Sequence, residues 1–119
     1  MTILSEVKSN YGKLKLLIDG EWVDSQSTVT GTTVNPATGE VIAEYPTATE
    51  EEARAAVDAA QRGFVALNKI ALRERAKMLF DMRQKFEEHF DDLTRVLTQD
   101  HGRTIGESRG SVRRCIENI

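Results

Sequence analysis

The sequence predicts an α+β fold, with short antiparallel hairpins first and three or four helices after them. Three observations carry this. Asp19-Gly20 and Asn35-Pro36-Ala37-Thr38-Gly39 are turn sequences, each set between short apolar runs. Thr49 and Glu52 form a capping-box pattern that marks a switch to helix. Beyond it, apolar residues recur every three or four positions.

A chain of 119 residues has room for one domain and not two. At 39% hydrophobic it can form a modest core. Net charge is -3, and Lys and Arg are spread without a basic stripe, so no nucleic-acid partner is expected. The apolar runs are too short for a membrane span. "MTILSEVKSNYGKLK" lacks a secretory apolar region and a small-residue cleavage site. Cys115 is the one cysteine, so neither an internal disulfide nor a cysteine zinc cluster is available. These features fit a cytoplasmic protein.

Residues 1–14 read as a flexible arm and 15–119 as the folded part. "KLKLLIDGEWVDS" gives two strands around Asp19-Gly20, where both turn positions accept positive φ, with Trp22 covering one face. "SQSTVTG" is a loop and "TTV" a short strand. In the next turn the Asn35 side chain can accept from the backbone two residues on, Pro36 fixes φ, and Gly39 takes the left-handed exit. "EVIAEYP" returns as a strand that Pro46 ends.

Thr49 and Glu52 then cap a first helix, with Glu50 and Glu51 complementing its dipole. Its apolar face is Ala53, Val57, Ala60, Phe64 and Leu67. A second helix runs from about Leu72 to Phe90 with Leu72, Ala76, Leu79, Met82, Phe86 and Phe90 on one side. Asp91 or Asp92 restarts a third helix, carrying Leu93, Val96 and Leu97, which Gly102 ends. A last helix holds Ile105, Val112, Cys115, Ile116 and Ile119. Its stripe reaches Ile119 with no stop signal, as expected of part of a longer protein.

The chemistry-bearing residues do not assemble into an active site. Gly102, Gly106 and Gly110 lack the preceding strand and the spacing of a dinucleotide fingerprint. Cys115 shares an apolar face with Val112 and Ile119, which predicts a buried thiol rather than a nucleophile. His89 with Asp92, and Glu88 with Asp92, have ligand-like spacing, yet acidic runs at helix junctions serve capping and solvation. Arg109, Arg113 and Arg114 could bind a phosphate or an acyl thioester; salt bridges to nearby carboxylates are the commoner use.

"LLIDGEWVDS", "VNPATGEVIAEYPTATEEEARAAVDAAQRGF" and "LRERAKMLFDMRQKFEEHFDDLTRVLTQDHGRTIGESRGSVRRCIENI", in this order, resemble the beginning of the aldehyde dehydrogenase superfamily. Within the last stretch, "DHGRTIGESRGSVRR" with the "IENI" that ends it is most similar to the acylating methylmalonate-semialdehyde dehydrogenase branch. One departure is Leu67-Asn68, where the family usually has a tryptophan shortly after the helix phenylalanine. The resemblance implies an α/β parent with a Rossmann-like NAD domain, of which residues 15–119 are the N-terminal part. In that family the hairpins fix the domain's outer edge and the helices cover its parallel sheet. The implied parent reaction oxidises an aldehyde with NAD through a cysteine thiolate and releases the acyl group to water or coenzyme A. The family's catalytic cysteine, general base, oxyanion asparagine and NAD-contacting strands all lie downstream of the segment matched here. No catalytic or cofactor-binding residue is therefore carried over. Inactivity of the chain alone, no cofactor of its own, and self-association or pairing with the remaining enzyme are the resulting expectations. The resemblance also implies a monovalent cation held by Thr33, Val34 and Asp100.

Overall fold

The computed structural model describes residues 7–119. Residues 1–6 of the expected arm lie outside the described residues. Four strands precede four helices: β1 Leu16–Ile18, β2 Glu21–Val23, β3 Thr30–Val34, β4 Val41–Pro46, α1 Glu50–Asn68, α2 Leu72–Glu88, α3 Phe90–His101 and α4 Ile105–Glu117. The α+β arrangement of two small antiparallel hairpins and four helices is the predicted one. The chain divides into two units. One contains residues 10–33 and 41–71, the other residues 7–9, 34–40 and 72–119.

In the first unit, β1 and β2 pair antiparallel with Leu16 opposite Val23, Leu17 opposite Trp22 and Ile18 opposite Glu21. Asp19 and Gly20 take φ of 56° and 82°, the left-handed pair that a two-residue hairpin turn requires. Trp22 stands across from Leu17 but remains 67% exposed. β4 pairs with β3 on one side. On the other, the Tyr11 amide donates to the Ile42 carbonyl at 2.7 Å and the Leu14 amide to the Glu44 carbonyl at 2.8 Å. The Glu44 amide donates back to Gly12 at 2.9 Å, making a parallel bridge. Flanked on both edges, β4 buries Ile42 and Ala43.

α1 starts at the predicted capping box. The Glu52 amide donates to Thr49 Oγ1 at 3.2 Å, and the Thr49 amide donates to Glu52 Oε2 at 2.8 Å. The predicted stripe on this helix is exposed, with Val57, Phe64 and Leu67 all open to solvent. The half-buried positions are Glu52, Ala56 and Ala59, one residue out of phase with it. Small alanines are the side chains that let a helix lie close to a short sheet.

In the second unit, the Asn35–Gly39 turn forms as its residues dictate. The Ala37 amide donates to Asn35 Oδ1 at 2.9 Å, the Gly39 amide to the Asn35 carbonyl at 2.7 Å, and Gly39 has φ of 75°. α2 ends at Glu88, two residues short of the predicted Phe90. His89 leaves the helical region with φ of -105° and ψ of 18°, and Phe90 begins α3 with Asp91 and Asp92 in its first turn. Gly102 closes α3 in the left-handed conformation. Thr104 and Glu107 form a second capping box at the start of α4. The core of this unit lies between α3 and α4, where Thr94, Ser108, Val112 and Ile116 are buried.

Candidate functional site

A cluster of charged side chains surrounds Phe90 in the second unit. Phe90 opens α3, while Arg109 and Arg113 are four residues apart on α4 and so share a face. Their guanidinium carbons lie 4.9 and 4.6 Å from the Phe90 ring centroid. Arg109 Nη1 also donates to Asp91 Oδ1 at 2.7 Å, and Arg113 Nη1 donates to both Glu87 oxygens at 3.1 and 3.2 Å. The salt-bridge reading of Arg109 and Arg113 therefore holds, and their charges are already met. Arg114 donates to Ser111 Oγ at 3.4 Å.

His89 Nδ1 lies 3.6 Å from Asp92 Oδ2, and Arg95 shares that carboxylate at 3.7 Å. Among the described residues, no three His, Cys, Asp or Glu side chains converge on a point where a metal could sit. Thr33 and Val34 end β3, Thr33 in the first unit and Val34 in the second. Asp100 is an exposed residue in the last turn of α3, in the second unit.

Cys115 corrects an expectation, because its thiol is exposed. The buried line of α4 is Ser108, Val112 and Ile116, a strict four-residue spacing. Cys115 stands to one side of that narrow line, since α4 packs against α3 through a single row of side chains.

Glu52 does more than the cap predicted for it. Ser25 Oγ donates to Glu52 Oε2 at 2.8 Å, and the Gln26 amide donates to Oε1 at 2.7 Å. With the Thr49 amide, three donors from two segments meet one carboxylate. The backbone bonds from Thr49 and Gln26, then the Ser25 hydroxyl, hold its pKa below the ordinary glutamate value. Nothing local to Glu52 in the sequence announces Ser25 and Gln26, which lie more than twenty residues away. The Thr104–Glu107 box, by contrast, has the same signature as Thr49–Glu52 and was open to the same reading. Arg75 Nε is buried and has no hydrogen-bond partner.

Residues 22–119 match the aldehyde dehydrogenase family. The chain is 39% identical over 107 residues to a malonate-semialdehyde dehydrogenase of Listeria monocytogenes, covering 90% of this chain and 22% of that protein. Among crystal structures, a putative methylmalonate-semialdehyde dehydrogenase of Sinorhizobium meliloti complexed with NAD superposes with a TM-score of 0.82 at 28% identity. That match covers 88% of this chain and 21% of the other. A betaine aldehyde dehydrogenase of Staphylococcus aureus in complex with NAD+ gives a TM-score of 0.78 at 34% identity, covering 83% and 20%. The chain thus spans about a fifth of the length of the relatives it matches. A match this long, upheld by both sequence and fold, places the chain in the aldehyde dehydrogenase family.

Proposed function

We propose that this chain is the N-terminal part of the nucleotide-binding domain of an NAD-dependent aldehyde dehydrogenase of the malonate- and methylmalonate-semialdehyde group, and that it is inactive by itself. The parent reaction would oxidise an aldehyde to an acid or an acyl-coenzyme A, with residues of the remaining polypeptide supplying the chemistry. The observation that carries this reading is the coverage: nearly the whole chain matches these enzymes, yet it spans 22% of the Listeria protein. The exposed apolar stripes support it, since Val57 and Phe64 on α1 and Leu72 and Leu79 on α2 present to solvent the side chains a larger enzyme would cover. A cytoplasmic setting belongs to the same proposal.

The test is co-expression with the portion of the Listeria malonate-semialdehyde dehydrogenase that follows the matched stretch. NAD reduction in the presence of an aldehyde should appear only when both polypeptides are present. Oxidation by the chain alone, or no association between the two, overturns the proposal. A second reading, an assembly module without a catalytic role, is favoured by the same exposed stripes. It predicts association without restored turnover.

A further inference from the structure

We draw no further inference here: the strongest candidate, the exposed apolar patch that Leu17 and Trp22 form opposite each other on the β1–β2 hairpin, carries none because nothing in the structure shows what covers it.

Discussion

The guanidinium carbon of Arg113 sits 4.6 Å from the centroid of the Phe90 ring while its Nη1 holds both oxygens of Glu87. Arg109 meets the same ring at 4.9 Å and pairs with Asp91. One aromatic side chain at the first position of α3 thus gathers two cations from α4, and each cation is oriented by a carboxylate from α2 or α3. Both arginines are about half exposed, so each contact is weak individually.

Removing the ring or one cation tests that arrangement. Phe90→Leu and Arg113→Ala, with the double variant, should show a coupling of about 0.5–1 kcal/mol in urea unfolding. Added salt should weaken the Glu87 pair and leave most of that coupling in place, because stacking on a ring is less screened than an exposed ion pair.

The hydroxyl pair between α3 and α4 gives a sharper result. Ser108 is fully buried, and Thr98 Oγ1 donates to Ser108 Oγ at 2.8 Å. Ser108→Ala strands the Thr98 hydroxyl and should cost about 1–3 kcal/mol. Adding Thr98→Val to Ser108→Ala removes the stranded group and should recover much of the loss. Chemical denaturation of the three variants checks both statements.

Gly102 is held in place twice. Its φ of 73° is left-handed, and a Cβ built there would lie 2.6 Å from Pro36 Cγ. Gly102→Ala should therefore cost at least the left-handed penalty of about 1–2 kcal/mol, with further loss from the displaced proline ring. Amide exchange should show the last turn of α3 opening first.

The exposed Cys115 thiol should be alkylated to completion under native conditions, without denaturant. A thiol that reacts only after unfolding would contradict the exposure. The sequence pointed the other way, because an apolar stripe on a helix tells which residues can be buried and not how wide the neighbour is. α4 buries one four-residue row, Ser108, Val112 and Ile116, and Cys115 falls beside it.

The same limit explains α1 and α2. Their caps, lengths and apolar periodicity were legible because each depends on neighbours three or four residues away. So were the Asp19-Gly20 and Asn35–Gly39 turns, where φ and side-chain chemistry are set locally. Burial was not, since Val57, Phe64 and Leu79 carry the pattern of a core face and are exposed. The Phe90 cluster and the long reach of Glu52 join residues from separate elements, and only the folded chain brings them together.

Glu52 makes the stability of the first unit depend on acid. Its carboxylate accepts from the Thr49 and Gln26 amides and the Ser25 hydroxyl, and these bonds lower its pKa from the ordinary 4.5. The folded state therefore binds this proton less readily than the unfolded chain. The stabilisation is complete above the unfolded pKa and is lost as pH falls through the lowered folded value. Glu107 behaves likewise, lowered first by the Thr104 hydroxyl and then by the Thr104 amide. The melting temperature should accordingly fall as pH drops below about 4.5. Glu52→Gln keeps the shape but leaves a single accepting oxygen, so either the Gln26 or the Thr49 amide loses its acceptor; the variant should melt lower at pH 7 and lose less on acidification than the parent. The remaining acid sensitivity should shrink again when Glu107→Gln is added. Equal acid slopes for the parent and Glu52→Gln would mean that the carboxylate does not tie Ser25 and Gln26 to α1 in solution.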